Sequence, residues 1–387
     1  MLETIIKTVC VLTVILLMVA YMILIERKIA AWIQDRVGPN RSGPRGILQP
    51  FCDGIKLLFK EEYTPDGVDK TLFVLAPALL MGLALASIAV IPFGGQLEIW
   101  GKTIHLQIAH VDIGVLYLLA LSSLSVYGVV LGGWASNNKY SLLGSLRAAA
   151  QILSYEVPLV LSLLSMVMLT GTLRLEKIVD IQIQQGWFIL SQPLTFLIFL
   201  VCIFAETNRL PFDLPECEQE LVAGYHTEYA SMKFGCFFLG EYAHIIVSSS
   251  LAVVLFFGGW HLPGLTSESP TIGAALLRVI IFLIKVWAFI FFYMWVRWTL
   301  PRFRFDKVMK LAWQSLVPLA LLLLISNTLV VYFTGGQAHP SYWGQLIGNI
   351  IVFVILLVIV GLTPDRTGEG NMPITFYQTE RNTSNLD

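Results

Sequence analysis

Charge is scarce in this 387-residue chain. Asp, Glu, Lys and Arg make up 13% of it, against roughly 25% in a soluble domain. The formal net charge of −1 conceals strong segregation along the sequence and gives no basis for a nucleic-acid partner; none is expected. Cysteine is equally sparse. Cys10, Cys52, Cys202, Cys217 and Cys236 show no CxxC or Cys/His spacing, so no thiol-ligated cluster, zinc site or disulfide framework can be read. There is no nucleotide-binding glycine motif and no haem-ligand pattern, so the chain alone cannot move electrons. No cleavable signal is expected either: the first apolar stretch is of full spanning length and is followed by Glu26-Arg27-Lys28, not by a small-residue cleavage site. No internal repeat of the transporter kind is visible.

Long apolar runs fill the space that charge leaves. Hydrophobic residues reach 56% and mean hydropathy is +0.73. The pattern predicts an all-α, polytopic transmembrane helix bundle of about nine spans, near 4–25, 72–92, 112–133, 152–171, 189–206, 234–258, 274–297, 313–334 and 344–362. A transmembrane domain over 1–362 is expected, with two long loops at 26–71 and 207–233 and a polar tail over 363–387. The segments after the odd-numbered spans hold 19 of the 25 Lys and Arg, those on the opposite side only 4. The amino terminus is therefore expected outside and the carboxyl terminus inside.

The most unusual stretch is Glu206–Tyr229, ETNRLPFDLPECEQELVAGYHTEY. It carries Glu206, Asp213, Glu216, Glu218, Glu220 and Glu228, six of the 26 acidic residues, with Arg209 as its one arginine. Pro211 and Pro215 impose ordered, irregular backbone. Such backbone is tolerated beside a membrane only against protein or a watery cavity. Carboxylates this close in sequence are expected to titrate as a coupled set. Glu156, two residues before Pro158, and Glu241, three before His244, add two acids inside predicted spans. A lone ExxH is too little for a di-iron site, so no metal is expected there. Lys285 lies deep enough in span seven to call for a carboxylate partner.

The first long loop is the most basic. Gly38-Pro39 and Gly43-Pro44 mark turns, and apolar residues recur at helical spacing from Ile47 to Phe59. An amphipathic interfacial helix is predicted there. The arginines 297–304 sit among aromatics, as headgroup anchors or as a dock for an acidic protein surface. The outer loops 93–111, 259–273 and 335–343 hold almost no charge and are expected to carry no chemistry. The residues alone leave two classes open: a proton or cation pathway, or a membrane subunit of a redox enzyme acting on a lipid-soluble substrate. Loops of this length and charge favour the subunit.

Four motifs, in order, then narrow the choice: ERKIAAWIQDRVGPNRSGPRGILQPFCDGIKLLFKE, NNKYSLLGSLRAAAQILSYEVPL, AETNRLPFDLPECEQELVAGYHTEY and RWTLPRFRFDKVMKLAW. Together they resemble the H-subunit family of NADH:quinone oxidoreductase, respiratory complex I, from about Ile25 to Trp313. The resemblance implies a subunit of a proton-pumping translocase, without activity alone, with quinone as substrate and no covalently bound cofactor. NADH, FMN and the iron–sulfur clusters belong to partner subunits. Partners are the other membrane subunits and the peripheral arm, including the subunit that carries the terminal cluster; the implied location is an energy-conserving membrane, as in the bacterial inner membrane. It places quinone-cavity positions on Arg27, Trp32, Asp35, Arg36, Asp53, Lys56 and Phe212. Coupling carboxylates fall on Glu206, Asp213, Glu216, Glu218, Glu220 and Glu228, with Glu156 and Glu241 inside the membrane. Membrane-bound hydrogenases and ferredoxin-linked relatives have similar subunits, and a stand-alone transporter is the further alternative. Many relatives end after eight spans, so the ninth has no assigned role.

Overall fold

The computed structural model describes residues 2–99, 102–215, 218–266, 269–333 and 342–362. Glu216, Cys217 and the tail from 363 lie outside them. The helices are α1 (Leu2–Ile33), α2 (Gln49–Phe59), α3 (Lys70–Ser87), α4 (Gly114–Ala135), α5 (Lys139–Thr170), α6 (Leu175–Gln185), α7 (Phe188–Ser191), α8 (Pro193–Glu206), α9 (Glu218–Leu221), α10 (Ser231–Phe256), α11 (Ile272–Thr299), α12 (Phe305–Lys310), α13 (Val317–Phe333) and α14 (Tyr342–Leu362). A single antiparallel hairpin, β1 (Gln96–Ile99) with β2 (Lys102–His105), links α3 to α4. Among the described residues seven helices are long and apolar enough to cross a membrane, and the shorter apolar helices Pro193–Glu206 and Trp343–Leu356 stand where spans five and nine are predicted. The protein is an all-α polytopic membrane protein.

Three predicted spans differ in their bounds. α1 does not stop at the charged triplet but runs through Glu26-Arg27-Lys28 to Ile33, because Glu26 is buried with partners of its own. α5 begins at Lys139, so Glu156 and Pro158 lie mid-helix and not in first turns. Its start is set by Asn138, whose side chain accepts from the Tyr140 amide, and its end by Gly171 in the left-handed conformation. Span five is broken. Pro193 opens α8, and the residue before a proline is pushed out of helical geometry: Gln192 stands at φ −129°, ψ 52°.

The side-chain amide of Gln192 is put to use at this break. Its Oε1 accepts from Thr195, Asn327 and Asn349 at 2.8–3.1 Å, and its Nε2 donates to Asn327 Oδ1 at 3.0 Å. This buried amide cluster ties α14 to α8 and α13, since unpaired amides would each cost a few kcal/mol in hydrocarbon. α10 is the central helix, buried without a break from Ile245 to Phe256. α2 is the reverse: it buries nothing and leaves Phe51, Ile55, Leu58 and Phe59 exposed. That unburied apolar face is the one predicted for the membrane interface.

Odd-numbered predicted spans end, and even-numbered ones begin, at one side of the bundle. This basic end holds α2, α9, α12 and the acidic loop; the opposite, hairpin end holds β1–β2 and α6.

Candidate functional site

The acidic loop is folded down by α5. Asn138 Nδ2 donates to Glu228 at 2.6 Å, Ser141 Oγ to the Tyr225 carbonyl at 2.8 Å, and Arg147 pairs with Glu220. One turn further, the buried Gln151 Nε2 donates to the Ala205 and Phe212 carbonyls, both at 2.8 Å. Ser141, Arg147 and Gln151 are six and four residues apart, so one flank of α5 faces the loop. Gly144 sits on the same flank. A Cβ there would lie 2.7 Å from the Gly224 Cα, so only glycine lets the loop approach.

Among the described residues three of the loop's carboxylates take separate partners. Asp213 accepts from Arg302 Nη2 at 2.9 Å, Glu220 pairs with Arg147 and Glu228 with Asn138. Glu218 opens α9, and Glu216 is outside the described residues. The single arginine within the stretch is a poor guide to its charge balance, because the balancing cations come from α5 and from the segment after α11.

Beneath the loop is a polar pocket of about 30 Å³ lined by Glu206, Thr207, Asn208, Tyr225, Glu241 and His244, among others. That volume holds one or two waters. Ser122 Oγ donates to Glu206 and Ser123 Oγ to Glu156. His244 Nε2 lies 3.5 Å from Glu206 Oε1, and Tyr225 donates to Glu241. The structure thus gathers Glu206 and Glu241 around one pocket and hangs Glu156 from the next serine of α4. His226, beside Tyr225, is packed against Phe234 and Phe238. Burial holds its imidazole below the ordinary range, and the negative charge of Glu241 offsets this in part. Burial also pushes the Tyr229 phenol far up, so it stays neutral while stacked on Phe73.

A second, larger cavity of about 640 Å³ opens between α1, α2 and α10. Leu16, Val19 and Ile23 of α1 face Phe234, Phe238 and Leu239 of α10 across it, and Arg27, Arg36, Asp53 and Lys56 close its polar end. Arg27 pairs with Asp53, which fixes α2 to α1, and Gln49 within α2 steadies the same carboxylate at 3.0 Å. The loop before α2 is shaped by Gly46 at φ +80°, where a Cβ would collide with the Pro39 carbonyl. Four of the seven predicted cavity positions therefore line it. The other three do not: Trp32 is 71% exposed, Asp35 sits in a turn at φ +50°, and Phe212 is buried against Tyr155 and Phe303.

Sequence reasoning missed the residue on which this end converges. Glu26 is 7% exposed; it pairs with Arg297, accepts from Tyr242 Oη at 2.7 Å, and lies 3.6 Å from Arg209. Arg209 also stacks over the Tyr242 ring at 4.4 Å. The signal was an acid inside a helix that keeps its apolar pattern beyond it. Its partners, up to 271 residues away at Arg297, could not be read. Lys285 is corrected too. Among the described residues it meets no carboxylate, but donates to the carbonyls of Phe257, Gly259 and His261 at 2.6–3.0 Å.

Comparison with known proteins decides the family. Residues 6–328 match the NADH dehydrogenase family. The chain belongs to that family. Among its relatives, the NADH-quinone oxidoreductase H subunit of Flavobacterium psychrophilum is 52% identical over 310 residues, covering 79% of this chain and 90% of the relative. The H subunit of Flavobacterium johnsoniae is 49% identical over 326 residues, covering 84% and 93%. That of Protochlamydia amoebophila is 53% identical over 315 residues, covering 81% and 92%. For this NADH dehydrogenase family member, the matched region takes in every described residue of both cavities.

Proposed function

We infer that the chain is the H-type membrane subunit of NADH:quinone oxidoreductase, that its larger cavity receives the quinone, and that the smaller pocket couples quinone reduction to proton translocation. One observation carries the reading. The three-residue stretch Thr207–Arg209 joins the two sites: Thr207 and Asn208 line the pocket of Glu206 and Glu241, while Arg209 reaches Glu26 on the wall of the large cavity. A change of charge at the cavity's polar end acts directly on the backbone that borders Glu206.

The chemistry suits the lining. Apolar side chains accept an isoprenoid tail, and Arg27, Arg36 and Lys56 stabilise negative charge on a quinone headgroup as electrons arrive. Reduction takes two electrons and two protons per quinone. The electrons come from a partner subunit carrying the terminal iron–sulfur cluster, because this chain's sequence offers no ligand pattern for such a centre. The protonation demand falls on the Glu206 and Glu241 pocket, and Glu156, held by Ser123 next to Ser122 on α4, is the next acid to respond. Asp213, Glu220 and Glu228 form the approach to that pocket, and the family resemblance alone adds Glu216 and Glu218 to the set. The basic end faces the peripheral arm and the cytoplasm, with the amino terminus outside a bacterial inner membrane.

The test is Glu206→Gln in the assembled complex, which keeps size and hydrogen bonding but removes the titratable group. Quinone reduction, proton pumping or both fall, while the arm remains attached and still reduces artificial acceptors. Glu206→Asp retains more function. Arg36→Ala lowers quinone reduction with the artificial-acceptor activity intact. Full turnover with an unchanged proton-to-electron ratio in Glu206→Gln rules out an obligatory protonation there. Copurification of a flavin subunit that oxidises NADH separates this reading from a hydrogenase.

A further inference from the structure

The loop 93–111, expected to carry no chemistry, meets α6 at the hairpin end and assembles a group of ligands. His105 closes β2, His110 lies in the segment leading to α4, and Glu176 stands in the first turn of α6. Their ligating atoms all fall within 4.8 Å of one another. His110 Nδ1 and Glu176 Oε2 are 3.2 Å apart, and two ligands of a tetrahedral zinc, each at ~2.0–2.2 Å from the ion, are separated by about 3.3 Å. The two imidazole rings meet edge to face with centroids 4.2 Å apart. Among the described residues none of the three side chains makes a hydrogen bond elsewhere, so a small side-chain rotation brings the third donor in at no cost in lost partners.

The surroundings favour a cation. Arg174, which lines the same cavity, is already engaged by Asp112 in an ion pair. The group borders a cavity of about 390 Å³, which leaves room for a water as fourth ligand. Two imidazoles are borderline donors suited to zinc, copper or nickel, and a carboxylate oxygen commonly completes such a shell, whereas magnesium and calcium prefer an all-oxygen shell.

We propose that His105, His110 and Glu176 bind a divalent transition-metal ion of the zinc class. The ion joins the β-hairpin to α6, and so braces the connection between α3 and α4 against the one between α5 and α8. The site is separate from both cavities at the basic end and does not rest on the function proposed for them.

The experiment uses the full chain purified in detergent, stripped with a chelator and titrated with zinc against a chromophoric competitor. A single saturable equivalent is expected, with a rise in the thermal midpoint on binding because the ion favours the folded state. His105→Ala and His110→Ala should weaken binding by at least about tenfold and abolish the thermal shift. Glu176→Gln should weaken binding while leaving the metal-free midpoint near that of the parent. Millimolar magnesium or calcium should not displace the zinc. Absence of a saturable equivalent in the unaltered chain overturns the proposal even if the variants fail to fold. So does equal binding by the double histidine variant, which reduces the cluster to a surface ion pair, or displacement by calcium, which assigns the bound zinc to an all-oxygen shell elsewhere.

Discussion

The two ends of the bundle neutralise buried charge in different ways. At the basic end, buried ions meet ions: Glu26 is shared by Arg297 and Arg209, and Asp213 is held by Arg302. At the hairpin end, the half-buried Lys285 and the buried Arg278 reach backbone carbonyls. Lys285 is capped by three carbonyls beyond α10, and Arg278 Nη2 donates to the Gln96 carbonyl at 2.7 Å. A carbonyl cannot take up a proton, so it adds no second titrating group beside the cation, and the contact acts as a fastening. A carboxylate can, so under the function proposed above the basic end can change its charge in response to a reaction beside it. On that reading the difference separates a structural charge from a functional one in a membrane, where either is expensive to bury.

The largest effect is expected at Glu26. Glu26→Gln leaves Arg297 and Arg209 without their carboxylate, and breaking a buried pair from one side costs about 3–5 kcal/mol. The lower figure applies here, because the Arg297 side chain is 30% exposed. Thermal unfolding in detergent reads this, and Glu26→Gln with Arg297→Gln should recover part of the loss. A single variant as stable as the parent would mean that ion pairing does not hold the basic end.

Lys285→Met comes next and sharpens the contrast. Losing a charged donor to three carbonyls costs about 2 kcal/mol, yet turnover and the proton-to-electron ratio of the assembled complex should stay unchanged. Impaired pumping in a stably folded Lys285→Met protein would break the comparison, since a hairpin-end cation would then carry function.

Asn138→Ala is smaller. Removing a helix cap costs about 1 kcal/mol, and this cap also holds Glu228. Faster amide exchange confined to 224–230 and the first turn of α5 is the expected result; uniform exchange along α5 would show that the loop is held elsewhere.

The mildest effect is pH. His226 has a depressed pKa in the folded protein, so its unfolded form binds the proton more readily. Stability is thus complete above the unfolded value of about 6.5 and declines as pH falls below it. His226→Gln should flatten that acid limb; a limb unchanged by the substitution would assign the loss to other groups.

Much of this was legible in the residues. Apolar runs of spanning length require helices, since a bilayer offers the backbone no other partner, and the proline-bracketed acids of Glu206–Tyr229 marked the loop as ordered. Local signals also foretold α2. What spacing along the chain could not show was pairing across it. Asp213, Glu220 and Glu228 are close in sequence, yet each takes a separate partner in Arg302, Arg147 and Asn138. Ser122 and Ser123 looked like ordinary small residues of an apolar helix. Glu26 looked like the end of a span, and His105, His110 and Glu176 looked like nothing at all. Hydrophobic periodicity is a property of neighbours along the chain, so it survives in the sequence. A buried charge is satisfied by whatever side chain or carbonyl the packing of other helices brings within about 3 Å, and only the folded bundle decides which that is.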